Sequence, residues 1–293
     1  MPSKGTNCLI KFDETRLQEL QNIARQIRRT STEMIYRAGS GNPGSTLSVV
    51  DILVWLYFTE MKLNRSDCRW DDRDRLILSK GQAAPAYYAI FEKFGWVQTS
   101  ELMKFRGFET RLATHPEYGT LPPVDFTSGS LGMGLSATCG MALAARIQSR
   151  DHLRFFCIVG DGEIQEGQIW EAAMTAGHYR LSNVHLIIDR NVFQGDRSSF
   201  DVMNVEPIAD KFEAFGWRVA SVDGHDFNSM KNSLYELRGP EPKLLIANTV
   251  KGKGVSFMEG DNLWHTGGSK FTAKCFDIAM RDLSGNGEWD ETT

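Results

Sequence analysis

Two apolar runs that each end in a short polar signature constrain this chain most. Phe155-Phe156-Cys157-Ile158-Val159 stops at Gly160-Asp161-Gly162, and Val184-His185-Leu186-Ile187-Ile188 stops at Asp189-Arg190-Asn191. Near-continuous apolar runs, rather than an alternation of apolar and polar residues, belong to strands covered on both faces, as in parallel sheets. Gly167 to His178 reads as the helix between them. One strand–helix–strand unit then brings Asp161 and Asn191, 30 residues apart, to neighbouring strand ends. Ligands of open α/β sheets bind at such carboxyl ends.

The rest of the chain fits the same alternation. Arg75-Leu76-Ile77-Leu78-Ser79, Trp217 to Val222 and Lys243 to Asn248 read as further strands. Between Asp13 and Ala38, Leu17, Leu20, Ile23, Ile27 and Met34-Ile35 recur at helical spacing. Ser48 with Asp51 has the form of a capping box for a helix carrying Ile52, Leu53 and Leu56. Leu131 to Ile147, rich in Ala and Gly with few charges, predicts a closely packed internal helix. The expected class is α/β, a mostly parallel twisted sheet with helices on both faces. No repeat or low-complexity segment stands out, and Ser284 to Thr293 reads as a polar, acidic tail after one domain over residues 1–283.

A length of 293 residues gives ample material for a buried core, and 41% apolar with 24% charged residues is the composition of a soluble globular protein. A formal charge of −4 argues against a general nucleic-acid or anionic-membrane binder. No stretch approaches the roughly 20 apolar residues that span a bilayer. The start, Met1-Pro2-Ser3-Lys4-Gly5-Thr6-Asn7, lacks the apolar core of a signal peptide. The five cysteines (Cys8, Cys68, Cys139, Cys157, Cys275) are scattered and form no CxxC pair, so reduced thiols and a cytoplasmic location are expected.

Asp161 and Asn191 are hard oxygen donors, which suit Mg²⁺ or Ca²⁺ over zinc. Gly160 and Gly162 let the backbone approach a bulky anion, and N–H groups of the following turn can donate to phosphate oxygens. Diphosphate oxygens, a backbone carbonyl and a water would complete a Mg²⁺ octahedron begun by the two side chains. A Gly-Asp-Gly alone is usually just a turn. Here Gly160-Asp161-Gly162-Glu163 is followed by Glu166-Gly167, Trp170-Glu171-Ala172-Ala173, Leu181 and Asp189-x-Asn191-x-x-Gln194.

That string resembles the thiamine-diphosphate motif of transketolases, and the resemblance runs along nearly the whole chain. Ser40-Gly41-Asn42-Pro43-Gly44, with Leu47-Ser48 and Asp51-Ile52-Leu53, resembles the family's N-terminal substrate loop. Leu78-Ser79-Lys80-Gly81-Gln82-Ala83-Ala84 resembles its next cofactor loop. His115-Pro116-Glu117, Thr127-Ser128-Gly129-Ser130-Leu131-Gly132, and Lys251-Gly252-Lys253-Gly254 through Trp264-His265 follow in family order. The set is similar to the diphosphate-binding half of transketolase, and specifically to the free-standing N-terminal subunit of the split enzymes.

The resemblance implies Mg²⁺ ligation by the side chains of Asp161 and Asn191 and by the backbone carbonyl of Phe193. Gly162 and Asn191 then meet the diphosphate, Gln82 and Lys251 lie on the cofactor side, and His265 stands where the family binds diphosphate and substrate. Gly129, Ser130 and Leu131 match the segment whose backbone meets the aminopyrimidine ring. His115 matches a histidine that contacts the donor-derived two-carbon unit, and Asn42 falls in the substrate loop. Glu166 matches a glutamate that links two active sites across the subunit interface; it reads equally as a helix-start acid favoured by the macrodipole. The implied activity is two-carbon transfer from a ketose, a sugar phosphate or related molecule, to an aldose on thiamine diphosphate and Mg²⁺. The family's ylide-forming glutamate has no counterpart here. That implies an α2β2 heterotetramer with a C-terminal, pyrimidine-binding partner subunit.

The chain departs from the family at Asn42 and Gln82, where transketolases usually have histidine. Amides hydrogen-bond but take no proton near neutral pH, so general acid–base help is lost at both positions. Three explanations stand: a pyruvate donor, as in synthases of the deoxyxylulose-phosphate type; an unusual ketose; or a non-catalytic partner-binding subunit. The retained Asp161, Asn191, His115 and His265 count against the last. A Rossmann dehydrogenase is weaker still, because no GxGxxG follows a strand with an acid about 20 residues on.

Overall fold

Five of the apolar runs pair into one sheet in the computed structural model, which describes residues 11–285. The strands are β1 (Arg75–Leu78), β2 (Phe155–Gly160), β3 (Val184–Arg190), a short antiparallel hairpin of β4 (Phe193–Gln194) and β5 (Arg197–Ser198), then β6 (Arg218–Asp223) and β7 (Lys243–Asn248). The large sheet runs β1-β2-β3-β7-β6 with every neighbour parallel. Helices α1 (Glu14–Arg37), α2 (Pro43–Ser48) and α3 (Val50–Trp55) precede β1, and α4 (Ala84–Lys93), α5 (Thr99–Leu102) and α6 (Met133–Ile147) lie between β1 and β2. α7 (Gly167–His178) joins β2 to β3. Then come α8 (Ser199–Val202), α9 (Ile208–Ala214), α10 (Phe227–Glu236) and α11 (Ala273–Asp282).

Successive strand residues face opposite layers, which explains why the runs are apolar throughout. Phe156, Ile158, Ile187 and Leu245 pack with α1, α3, α4 and α10 in one layer. Phe155, Cys157, Val159, Leu186 and Ile188 pack with α6, α7 and α9 in the other. A smaller cluster around Ile35, Leu47, Trp264 and Phe271 seats α11 on α1, with Tyr36 and Phe276 stacked at 4.2 Å.

This layering positions the site. After β3 the chain crosses to the edge strand β6 and returns through α10 to β7, between β3 and β6. α7 covers one face and α10 the other, so the winding reverses at the β3–β7 boundary. A crevice opens outside the carboxyl ends of strands at such a reversal. Asp161, Asn191 and Lys251 follow β2, β3 and β7 there.

Two expectations are corrected. Ser48 and Asp51 form no capping box: Ser48 ends α2, and α3 starts at Val50 with no side-chain cap. Both side chains have distant partners instead, described below. The segment from Leu131 to Ile147 is not internal throughout. Its helix starts at Met133, and Met133, Ser136, Gly140, Ala144 and Ile147 form an exposed face, Ile147 being 84% exposed. Most of the expected tail, and Cys8, lie outside the described residues. The four described cysteines are unpaired, and no described helix is long and apolar enough to cross a membrane.

Candidate active site

The β2–β3 register pairs Gly160 with Asp189, so the turns that follow are neighbours. Asp161 is buried; its carboxylate accepts from the Gly162 N–H at 3.0 Å and the Ser199 hydroxyl at 3.1 Å. Asn191 is also buried, and its Oδ1 accepts from the Phe193 N–H at 3.2 Å. Between them Val192 has φ 61°, a left-handed conformation that a β-branched residue rarely adopts. Such strain costs about 1–3 kcal/mol and persists where the surroundings over-determine it. The Ser199 N–H donates to the Val192 carbonyl at 2.9 Å, and the β4–β5 hairpin closes the same turn. The strained turn fixes Asn191 and Phe193 together.

Behind Asp161 sits a second acid. Asp189 is fully buried and accepts from the Ser48 hydroxyl at 2.7 Å, from Thr249 Oγ1 and from the Lys80 ammonium, itself 4% exposed. Burial, and then the Asp189 charge, push the Asp161 carboxyl up to about 6. No described Lys, Arg or His comes within 4.0 Å of Asp161, because Lys80 serves Asp189. Glu163, raised by burial, fastens three segments. Its Oε1 accepts from the Ser79 hydroxyl and, at 3.0 Å, from the Gly132 N–H; its Oε2 accepts from the Gly160 N–H at 3.1 Å.

These turns open into a cavity of about 370 Å³. Asp161, Gly162, Asn191 and Phe193 line one side, and Gln82, Leu131, Glu166 and His265 also face it. Glu166 is exposed and precedes α7 without a side-chain cap bond. The other expected residues approach through contacts. Asn42 Nδ2 donates to the His265 carbonyl at 3.0 Å. Lys251, buried, donates to the Gly195 carbonyl at 3.1 Å and to His265 Nδ1 at 3.4 Å. Burial, then Lys80, bring the Lys251 ammonium down to about 8; burial, then Lys251, lower His265. His115 packs on Gly129, where an added Cβ would lie 2.8 Å from the ring, and Gln82 Nε2 donates to the Gly129 carbonyl at 3.3 Å. Burial, then Arg106, lower His115. Ser130 makes no described side-chain hydrogen bond and adjoins the cavity only in sequence.

Lys80, Glu163 and Asp189 stand inside the motif strings but were not singled out as site residues, and Ser199 lies outside them. Their signal was a polar side chain near a strand's carboxyl end, which surface turns also show. The donor set fits a small hard cation near an anion: a buried carboxylate without a cation of its own, an amide oxygen, and main-chain groups on a fixed turn. No described group of three or more His, Cys, Asp or Glu could hold a metal. A cation here would therefore draw its other ligands from main chain and bound phosphate oxygens.

Comparison with known proteins agrees. The family profile described as the thiamine diphosphate binding domain of transketolase matches residues 19–278. The chain is 38% identical over 273 residues to the 6-deoxy-6-sulfo-D-fructose transketolase subunit of Clostridium sp. (strain MSTE9), covering 92% of this chain and 98% of that one. It is 34% identical to an apulose-4-phosphate transketolase subunit of Phocaeicola vulgatus, covering 92% and 95%. Against the transketolase of Rattus norvegicus it is 36% identical but spans only 41% of that protein's length. The crystal structure of Campylobacter jejuni transketolase superposes with a TM-score of 0.86 at 31% identity, covering 94% of this chain and 44% of that one.

Proposed function

The chain belongs to the transketolase family and carries its thiamine diphosphate binding domain, and on that premise we propose that it is the N-terminal subunit of a two-component, Mg²⁺-dependent transketolase. In this reading it transfers a two-carbon unit from a ketose to an aldose only with a C-terminal, pyrimidine-binding partner, as an α2β2 heterotetramer. The single observation that carries the reading is Asp161 and Asn191 side by side at adjacent strand ends in one cavity. Near-complete overlap with two subunits, against 41% of a whole transketolase, supports the split arrangement. Residues 1–283 form the diphosphate-binding unit. Its unpaired thiols fit a reducing compartment, the cytoplasm.

Asp161 and Asn191 hold the Mg²⁺ through side chains, and Phe193 holds it through its carbonyl. Gly162 and Asn191 meet the diphosphate, with Gln82 and Lys251 beside it, and the backbone of Gly129, Ser130 and Leu131 meets the pyrimidine ring. When bound, thiamine diphosphate supplies carbanion stabilisation for carbon–carbon cleavage. Lys251 donating to His265 Nδ1 leaves the ring proton on Nε2, so His265 offers an N–H to a substrate or phosphate oxygen. His115, held below ordinary histidine basicity, is neutral at pH 7 and accepts from a substrate hydroxyl. Asn42 holds His265 through its carbonyl and keeps its Oδ1 for the substrate. Glu166, exposed on this subunit, reaches the partner.

The amides at Asn42 and Gln82, and two relatives named for unusual ketoses, support a specialised ketose donor. Calorimetry of thiamine diphosphate with Mg²⁺ on the chain mixed with its partner tests the assignment. Asp161→Ala should lose roughly 2–5 kcal/mol of Mg²⁺-dependent binding, and unchanged affinity would remove Asp161 from the site. A panel of pyruvate, hydroxypyruvate and xylulose 5-phosphate reads the donor class; pyruvate alone as donor would replace this reading with the deoxyxylulose-phosphate type, and no turnover with any would leave a non-catalytic subunit.

A further inference from the structure

The opposite end of the sheet carries a second cavity that the assignments so far leave without a role. It measures about 520 Å³ and lies among the segments that enter β2, β3 and β7 and the end of α10. That size falls within the roughly 300–1,000 Å³ of small-molecule pockets. The seven residues of β3, roughly 20 Å of strand at about 3.3 Å per residue, separate it from the turn that holds Asn191.

Its wall is cationic once the ion pairs within it are matched. Glu60 is taken by Arg154, and Asp151 by Arg146 at 3.6 Å. Lys231, Arg238 and Lys243 also line the cavity and have no described carboxylate within 4.0 Å. Glu241, whose carbonyl Lys243 holds, turns its carboxylate to Arg218 at 3.4 Å. Lys243 is buried and donates to the carbonyls of Ser182, Gly239 and Glu241, which fills its bonds and leaves its charge. Lys231 and Arg238 only face rings, Phe12 at 4.0 Å and Tyr235 at 4.2 Å, so their N–H donors stay open.

The floor is polar without partners. His185 stacks on Phe156 at 4.8 Å, and its ring nitrogens make no described hydrogen bond. Burial, then Lys243, hold it well below ordinary histidine basicity, so at pH 7 the ring is neutral and one nitrogen offers an N–H. Trp55, 1% exposed, has an indole N–H with no partner. It lines a recess of about 10 Å³ that shares His185, Leu234, Leu237 and Lys243 with the cavity. Native folds rarely leave buried polar groups unmet. Uncompensated positive charge, open donors and an apolar wall of Leu234 and Leu237 complement an anion on an apolar body.

We propose that this cavity binds a small organic anion, a phosphate ester or a carboxylate, at a second site separate from the cofactor site. Lys231 and Arg238 meet the oxyanion at the rim, and His185 donates to it from the floor. Neither the cavity nor its charges depends on what the candidate active site transfers.

Histidine ¹⁵N spectra of the full chain at pH 7 read both cavities, His185 in one and His265 in the other. The probes are phenyl phosphate, benzoate and neutral benzyl alcohol. Phenyl phosphate or benzoate should move the His185 ring signals saturably, and the tighter of the two names the oxyanion; benzyl alcohol should not move them. The double variant Lys231→Gln, Arg238→Gln removes two side chains that make no described ion pair, and it should weaken the binding at least about 10-fold. Unchanged affinity in that variant, an equal response to benzyl alcohol, or no response at His185 to either anion overturns the assignment. A response at His265 alone would put the anions in the candidate active site, overturning the second site while leaving the first intact.

Discussion

Asp51 shows how far a buried charge in this fold reaches. Only 5% exposed, it receives Arg28 Nη1 at 3.1 Å, Arg28 Nη2 at 2.5 Å and His225 Nδ1 at 2.6 Å. His225 Nε2 in turn accepts from the Val250 N–H at 2.8 Å, one residue before Lys251. Burial works to raise the Asp51 carboxyl, but Arg28 and His225 outweigh it and hold it below its ordinary value. Asp51→Asn keeps the shape and removes the charge, leaving Arg28, 8% exposed, as a buried cation facing an amide. Breaking a buried pair from one side costs about 3–5 kcal/mol, a large part of the roughly 5–15 kcal/mol that holds a domain folded. With a urea m-value near the upper end of the usual range, about 3 kcal/mol per molar, the midpoint should fall by about 1–1.7 M. The sign with pH follows from the lowered value. Wild type holds the full contribution above the unfolded carboxyl's range, near 3.8. It loses that contribution as pH falls through the still lower folded value, and the variant lacks this acid limb. A loss below about 1 kcal/mol would show that water screens the pair and refute the argument. Replacing both partners, Arg28→Met with Asp51→Leu, should recover most of the loss.

Two glycines give sharper tests. At Gly177 in α7 an added Cβ would stand 1.8 Å from the Phe215 carbonyl oxygen; Gly177→Ala should cost about 3 kcal/mol or more, and a near-wild-type melting temperature would contradict the packing of α7 on the turn after α9. At Gly129, φ 123° and the His115 ring leave no room for a side chain. Gly129→Ala should cost about 1–3 kcal/mol and release His115 to a more ordinary titration midpoint by NMR; an unchanged midpoint would show that the ring does not depend on this contact.

The sheet was legible because its strands are unusual: Phe155 to Val159 and Val184 to Ile188 are buried on both faces, and few other structures tolerate that. The helix from Gly167 to His178 and the neighbouring turns at Asp161 and Asn191 followed from the same unit. Ser48 and Asp51 misled for a physical reason. Their spacing matches a local cap, but their partners, Asp189 and His225, lie 141 and 174 residues away, and a local pattern carries nothing about either. Lys80 stood in a motif string, but its burial did not show because lysine is a surface residue by default; only the buried Asp189 explains why it is inside. The stretch from Leu131 to Ala145 was readable as interface as well as core, but which residues form the exposed face of α6 was not, since small apolar residues suit either equally.

Glu163 has one more consequence. A single carboxylate grips Ser79 after β1, Gly160 at the end of β2, and Gly132 beside the Gly129–Leu131 segment. The Asp161 turn and the Gly129–Leu131 segment are thus not independent but one bracket with a common pin. A molecule that stills either end also narrows the motion of the other, so two fragments, one phosphate-bearing and one heteroaromatic, should bind with positive cooperativity even if they never touch.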